Sequence, residues 1–414
     1  MQESRLGLGV ESGPWQFSAC TLIAMGLSEV DPIERDCPLR ILAVVEWYPP
    51  AFKAGGPIQS VYNLFQMMRA ETDHELEVVC GDRDLGSATP LDDIQTDVPH
   101  ERDGIRVTYR SSVSWKWWNE KLGGSGSDLV PDVIYINSLF SLPFALYPML
   151  VARALGIRVV LAPRGMLGAG ALSIKPRRKK FFLIAARVFG LFRNVRWHAS
   201  TVNECSEVLA HFPKANAHIA LNVPLFEANV KPLTSSDAMT WVMVGRIHPI
   251  KNLHFALEAL QKVNLNGKSL RIELVGLAED EEYLKRLVLL SKPGVEVVHV
   301  GAIAPHELGK IWSRSHALLM PTRHENFGHV VVEAWAHGRP VLLSDKTPWR
   351  DLKKAGLGWD LPLTQAAWAE GLSEALTWDD ERWIALSKSC VEKHKSILEN
   401  PQLIRENRAL FEAE

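Results

Sequence analysis

Cysteine is scarce in this 414-residue chain. The five present (Cys20, Cys37, Cys80, Cys205 and Cys390) are odd in number, widely scattered and never spaced C-x-x-C. That pattern argues against a disulfide framework or a structural zinc and fits a reducing compartment. Charge of one sign is lacking too. A formal net charge of -2 gives no global attraction for nucleic acid, so no nucleic-acid partner is expected and any basic site is local. Long hydrophobic runs are short of what a membrane span needs. Trp15 to Leu27 is too brief, and Glu3 and Glu11 spoil the positive flank of a secretory signal, so the chain is expected to stay in the cytoplasm. Ser138 to Ile157 is longer, but it carries Pro143, Pro148 and Arg153 and is expected to be a buried helix. Finally, no G-x-G-x-x-G follows a strand, since Gly168-Ala169-Gly170 lacks the third glycine and the context. A nicotinamide dehydrogenase is therefore disfavoured.

What is present is the composition of a globular protein, 47% hydrophobic and 23% charged, at a length that favours two domains. Short apolar runs alternate with helix-period segments from Leu39 onward, the signature of an α/β fold with parallel sheets covered on both faces. Residues 1–38 show no sustained period and are expected to be a loosely ordered extension or an over-long gene start. A first domain is expected over 39–225, with strands at Leu39–Val45, Leu76–Cys80, Ile105–Tyr109, Val133–Ile136, Val159–Ala162 and Arg196–Ala199. Pro224 to Asp237 reads as a linker. The second domain, 226–395, has strands expected at Trp241–Val244, Leu270–Val275, Val295–Val300, Ala317–Met320 and Val341–Leu343. Residues 396–414 are helical in period and could return to brace the first domain.

Two segments of the second half carry chemistry. Gly245-Arg246-Ile247-His248-Pro249-Ile250-Lys251 follows a strand, where an open parallel sheet binds its ligands. Gly245 allows a tight turn, and Arg246 and Lys251 could clamp a diphosphate. Alternatively they are solvated loop charges. Pro321 to Ala334 also follows a strand and opens a helix near His329, placing Glu325 and Glu333 on either side of the helix N-terminus. Free amides and the helix dipole there favour an anion, whereas carboxylates accept hydrogen bonds from hydroxyls. A nucleotide sugar, with hydroxyls flanking a diphosphate, satisfies both. His324, Glu325 and His329 miss the H-E-x-x-H spacing by one residue, and Gly328 interrupts the helix, so zinc is discounted.

With these motifs the sequence resembles glycosyltransferase family 4, through E-N-F-G-H-V-V-V-E (Glu325 to Glu333, an E-x7-E signature) and the preceding G-R-I-H-P-I-K. Tyr48-Pro49-Pro50, Ala54-Gly55-Gly56-Pro57, Ala162-Pro163-Arg164-Gly165-Met166 and Ser344 to Trp349 are further matches. The resemblance implies the GT-B architecture, two Rossmann-like domains facing a cleft, and retaining transfer from a nucleoside diphosphate sugar to a glycan, in bacterial lipopolysaccharide or exopolysaccharide synthesis. It implies that Arg246, Lys251 and Glu325 are catalytic. Gly55, Gly56, Gly245, Asn326, Phe327, Gly328 and Glu333 would bind the donor, Glu333 through the ribose. Asn137, where many members carry histidine, and Arg164 would contact sugar or acceptor. Asparagine is no general base at neutral pH. No cofactor and no metal are expected beyond the donor itself, because the two cations and the helix terminus can neutralise the diphosphate. A GT-B isomerase or hydrolase, or a non-catalytic nucleotide-sugar-binding protein, remains an alternative.

Two further features bear on the acceptor. Lys175-Pro176-Arg177-Arg178-Lys179-Lys180 runs into the apolar stretch Phe181 to Phe192 and could lie on the cytoplasmic face of an anionic membrane, or simply pack inward with its charges solvated. Trp115-Lys116-Trp117-Trp118 could stack on a sugar, anchor in headgroups, or be buried at a domain edge.

Overall fold

A computed structural model of the chain describes residues 38–124, 130–226, 230–231 and 238–412. Residues 1–37 of the expected extension, with Cys20 and Cys37, lie outside the described residues, as do residues 227–229 and 232–237 of the expected linker. Cys80, Cys205 and Cys390 are buried free thiols. Among the described residues no helix is long and apolar enough to cross a membrane.

The first sheet is built from β1 (Arg40–Val44), β2 (Glu75–Gly81), β3 (Pro99–Arg102), β4 (Ile105–Arg110), β5 (Val133–Ile136), β6 (Arg158–Leu161), β7 (Val195–Ala199) and β8 (Asn216–Ile219). Their spatial order is β3-β4-β2-β1-β5-β6-β7-β8, parallel throughout except for β3 against β4. Helices α1 (Gly56–Glu71), α2 (Trp115–Leu122), α3 (Tyr147–Ala154), α4 (Ala169–Leu172), α5 (Pro176–Val188) and α6 (Val202–His211) connect them. Successive side chains of a strand point to opposite faces, and both faces here are covered. Leu42 and Val44 join one core with Trp118, Met149, Leu183 and Val208. Ile41 and Ala43 join the other with Val61, Phe65 and Met68. The apolar run Ser138–Ile157 is not one helix: a π-turn at Leu142–Leu146 precedes α3, with prolines at 143 and 148 in the opening turn of each. Of the clustered indoles, Trp118 is core and donates to the Pro143 carbonyl at 2.7 Å, while Trp115 is exposed.

The second sheet, β9 (Ala238–Val244), β10 (Ser269–Val275), β11 (Val295–Gly301), β12 (Ala317–Met320), β13 (Val341–Ser344) and β14 (Gly358–Leu361), is wholly parallel in the order β11-β10-β9-β12-β13-β14. Around it lie α7 (Leu253–Leu260), α8 (Glu281–Val288), α9 (Pro305–Trp312), α10 (His329–Ala336), α11 (Gln365–Leu376) and α12 (Asp380–Leu398). Trp241 and Met243 of β9 face a core with Leu257, Leu287 and Trp368. Val242 faces another with Trp312, Val331 and Trp335.

The last helix, α13 (Pro401–Glu412), leaves this domain and packs on the first. Leu410 and Phe411 lie in the core beside Val61 and Phe65, each worth about 1.5–3 kcal/mol in burial. Arg158 donates to the Phe411 carbonyl at 2.7 Å and Arg196 to that of Ala409 at 2.9 Å, cations meeting the negative end of the helix.

Strand order fixes where a ligand can sit. β1 is flanked by β2 on one side and β5 on the other, and β9 by β10 and β12. These are the two topological switch points, and open α/β sheets bind their ligands just beyond the carboxyl ends of the strands there. The segments leaving β1, β5, β9 and β12 carry Gly55 and Gly56, Asn137, Gly245 to Lys251, and Glu325 to Gly328.

Candidate active site

After β9 the chain turns at Gly245, whose φ of 137 is open to glycine and to few other residues. Gly276 permits this turn from the neighbouring strand, since a Cβ there would lie 2.0 Å from the Gly245 carbonyl oxygen. A short 3-10 turn, Pro249–Lys251, is capped by His248, whose Nδ1 accepts from the Ile250 amide at 3.2 Å. Asn252, left-handed at φ 58, then donates to the Pro321 carbonyl at 3.0 Å, while the Arg323 amide donates to that of Ile250 at 3.1 Å. The loop after β9 is thus stitched to the loop after β12.

That second loop is held from its other side by the segment after β13. The Glu325 amide donates to the Lys346 carbonyl at 3.0 Å, Ser344 Oγ to that of Thr322 at 2.5 Å, and Trp349 Nε1 to that of Phe327 at 2.6 Å. Phe327 is buried against Trp349, so only its backbone can face a ligand. Gly328, at φ 81, turns the chain into α10, and an added Cβ would press on Glu325 Cγ at 3.3 Å.

Within this frame Lys251 Nζ donates to Glu325 Oε2 at 2.7 Å, with both side chains largely covered. The two residues named by separate sequence motifs are therefore one ion pair. Arg246, the second cation expected at the diphosphate, has a carboxylate partner of its own: it donates to Glu279 at 2.8 Å and is 44% exposed. Glu333, on α10, accepts from Trp312 Nε1 at 3.1 Å. Burial pushes its pKa up to about 7, against the opposing pull of that hydrogen bond.

From the facing domain, Gly55 caps α1 at φ 68. A methyl at Gly56 would come within 3.6 Å of His329 Cδ2, so the two domains meet there. Ser60 Oγ donates to the Gly56 carbonyl and lies 2.9 Å from His329 Nε2. A hydroxyl has one proton, so His329 must be the donor through Nε2, leaving Nδ1 as a buried acceptor without a partner. Burial, aided by Arg164, drives the His329 pKa down to about 3. Asn326 reaches across as well, donating to Ser200 Oγ at 2.8 Å.

Asn137 and Arg164 form one network. Asn137 donates to the Pro57 carbonyl at 3.0 Å and accepts from Arg164 Nε at 2.6 Å. Arg164, left-handed at φ 52, also donates to Asn222 and to the Tyr135 hydroxyl. Tyr135 in turn meets His198 Nδ1 at 2.8 Å, and burial holds that imidazole well below its ordinary pKa, hence neutral. Below it the buried Glu204 accepts from the Gly165 and Ser200 amides at 2.5 and 2.7 Å. Both guanidinium and carboxamide are thus fixed at the mouth of β5 and β6.

Several of these partners escape sequence reasoning. Ser60, Ser200, Glu204 and Glu279 sit in no motif and are joined to the site only by folding. Asp82 and Asp84 have a D-x-D spacing directly after β2, contrary to the expectation that no such motif sits at a strand end. Asp84 accepts from the Phe52, Lys53 and Leu85 amides and Asp82 from Ser111 Oγ at 2.7 Å, so both serve the loop. Among the described residues no three His, Cys, Asp or Glu are grouped to hold a metal ion.

Residues 227–394 match the family model described as Glycosyl transferases group 1. The chain is 25% identical over 150 residues to the lipopolysaccharide 1,2-N-acetylglucosaminetransferase of Salmonella typhimurium, covering 34% of this chain and 36% of that one. Over 186 residues it is 30% identical to the D-inositol 3-phosphate glycosyltransferase of Streptomyces avermitilis, covering 38% and 39%. The chain therefore spans less than half the length of these curated relatives. Among solved structures, sucrose-phosphate synthase from Thermosynechococcus elongatus superposes with a TM-score of 0.67 at 16% identity, covering 90% of this chain and 98% of that one. Anabaena HepE in complex with UDP and glucose gives 0.63 at 14% identity, covering 90% and 98%. WaaG, a glycosyltransferase involved in lipopolysaccharide biosynthesis, gives 0.58 at 14% identity, covering 90% and 100%. At these identities the likeness is one of fold.

Proposed function

We propose, from the premise that this chain belongs to the group 1 glycosyl transferases and has the GT-B architecture, that it moves a sugar from a nucleoside diphosphate donor to a glycan with retention of configuration. The observation that carries this reading is the Lys251 to Glu325 ion pair at the switch point of the second sheet. A donor diphosphate arriving there is a better partner for Lys251 than the carboxylate it now holds. Its binding frees Glu325 to accept hydroxyls of the sugar, beside the open amides that begin α10.

When the bond from the anomeric carbon to the diphosphate oxygen breaks, negative charge builds on that oxygen. Lys251, and Arg246 after release from Glu279, stabilise the charge where it develops. Asn137 cannot take a proton, and Arg164 keeps it hydrogen-bonded. The base left to the acceptor hydroxyl is the departing diphosphate oxygen itself, which places bond breaking and bond making on one face of the sugar. Glu333, close to half-ionised at neutral pH, would accept from the ribose hydroxyls. No metal is needed for this scheme.

The acceptor is a lipid-linked glycan of the bacterial surface, worked on at the cytoplasmic face of the membrane. Support comes from the two relatives whose names refer to lipopolysaccharide and from the basic helix of the first domain. The test is a thermal-shift and nucleotide-release screen over UDP, GDP, ADP and dTDP sugars, with Lys251→Ala and Glu325→Ala alongside. A donor should raise the midpoint of the wild type and of neither variant. If no donor does so, or both variants respond as the wild type, donor binding at this pair is wrong. Nucleotide release that proceeds equally without any glycan would favour hydrolysis instead.

A further inference from the structure

Helix α5 has two apolar faces. Its inner side buries Leu183 and Ala186 and sets Phe182 against Phe140 and Phe192 at ring distances of 5.5 and 6.3 Å. The other side is bare. Phe181, Ile184 and Val188, spaced three and four residues apart on one face, are exposed by 77%, 54% and 73%, and Phe189 at the helix end by 84%. A scattered exposed side chain needs no explanation, but four large ones in a row on one ridge do.

The charge around this ridge is of one sign. No aspartate or glutamate occurs in the sequence between Asp132 and Glu204. Lys175, Arg177, Arg178 and Lys180 crowd the first turns of α5, the end at which a helix dipole disfavours cations. Among the described residues, Arg177, Arg178, Lys180 and Arg187 form no ion pair. At the far end of the ridge a groove of about 860 Å³ opens along the starts of β6, β7 and β8, away from the cleft, with Arg187, Arg193 and Lys214 in its lining. Arg158 and Arg196 also line it while gripping the end of α13.

We propose that α5 and this groove form a docking face for an anionic lipid bilayer. Phe181, Ile184, Val188 and Phe189 enter the boundary between headgroups and acyl chains. The flanking lysines and arginines neutralise lipid phosphates, and the groove takes a headgroup beside Arg187 and Arg193. Like-charged surroundings rule out a second copy of the same face as the occupant, since two such ridges would bring unpaired cations together. The placement has a consequence for the acceptor that rests on the transferase reading. The segment leading into α5 borders the cleft, where a methyl on Gly170 would come within 2.9 Å of Ile250 from the other domain. Docking through α5 would therefore hold the acceptor wall of the cleft beside the membrane.

The test is co-sedimentation of the full chain with vesicles of phosphatidylcholine alone or doped with phosphatidylglycerol. Two triple variants accompany it, Phe181→Ser/Val188→Ser/Phe189→Ser and Arg177→Ser/Arg178→Ser/Lys180→Ser. The wild type should pellet with the anionic vesicles only, less so as salt rises, and each variant should bind them at least about tenfold more weakly. All substituted side chains are exposed, so the thermal midpoint and any donor-induced shift should stay as in the wild type. Wild type remaining in solution with anionic vesicles, or variants pelleting equally well, overturns the docking face. So does a wild-type dimer in size-exclusion light scattering that the apolar variant turns into monomers. Vesicle binding without any donor response would overturn the transferase reading alone, and a donor response without vesicle binding the docking face alone.

Discussion

His329 donates its Nε2 proton to the hydroxyl of Ser60 across 2.9 Å, tying the first residue of α10 to the first helix of the opposite domain. Serine hands its own proton on to Gly56, so the contact is directional and depends on that one oxygen. Ser60→Ala removes it and leaves a buried N–H without an acceptor. The expected loss is about 1–3 kcal/mol of unfolding free energy in urea, with no change in m-value. A variant as stable as the wild type would show that water replaces the hydroxyl.

The same histidine sets an acid limit. Its pKa is about 3 in the folded chain against 6.5 when free, so its contribution is fully present above pH 6.5 and disappears as pH falls toward 3. The buried His198 acts with the same sign. Urea unfolding free energy should decline below pH 6.5 by about 1.4 kcal/mol per pH unit for each such group, and His329→Gln should flatten the decline. Equal slopes in the two proteins would contradict it.

Glu333 works in the opposite sense. Raised from 4.5 to about 7, it favours the folded chain below pH 4.5 and forfeits that advantage as pH climbs through 7. Glu333→Gln, measured against the wild type, should therefore gain stability steadily between those limits and be flat outside them. Its nucleotide affinity should drop, whereas an exposed carboxylate at this position would change neither.

Of the two cations, Lys251 is the better covered and is paired with Glu325, while Arg246 is half in solvent. Lys251→Ala should lower kcat by about 10²–10³-fold. Arg246→Ala should cost clearly less in the ligand-free stability, because exposed ion pairs contribute about 0–1 kcal/mol. Steady-state kinetics with thermal midpoints on both variants settles the order. The reverse ranking in stability would mean that the Glu279 partner matters more than its exposure suggests.

Gly276→Ala probes the loop without touching a ligand. Its φ of 149 and the Gly245 carbonyl 2.0 Å from an added Cβ leave no room, so the loss should reach at least about 2 kcal/mol, with weaker donor response because Gly245 leads into Lys251. Unchanged unfolding would show that β9 and β10 can part at no cost.

Where sequence reading succeeded, a local pattern was enough. The runs at Val133–Ile136 and Ala317–Met320 are apolar over their whole length and became strands with those bounds. Glycine at 245 and 328 marks turns that the backbone angles require. The family resemblance rested on such local strings, and the matched domain bears it out. Three strands were not legible. Pro99–Arg102 opens on proline and has no β-branched residue, Asn216–Ile219 contains one isoleucine, and Gly358–Leu361 begins on glycine. Each is held by pairing with a neighbour, not by its own propensity. The partners of the site are hidden for a related reason. Glu279 lies 33 residues from Arg246 and Ser60 lies 269 from His329, so only the fold brings them together.

The return of α13 to the first domain has a mechanical consequence. The chain passes between domains twice, once near Ala220 to Phe226 and again between α12 and α13, because Ala220 and Val223 are core to the first sheet while Phe226 packs on the second. A single strap would let the domains twist as well as bend. Two straps confine any relative rotation to the axis that runs through both, so Gly56 and His329 are expected to stay opposite each other if the domains move.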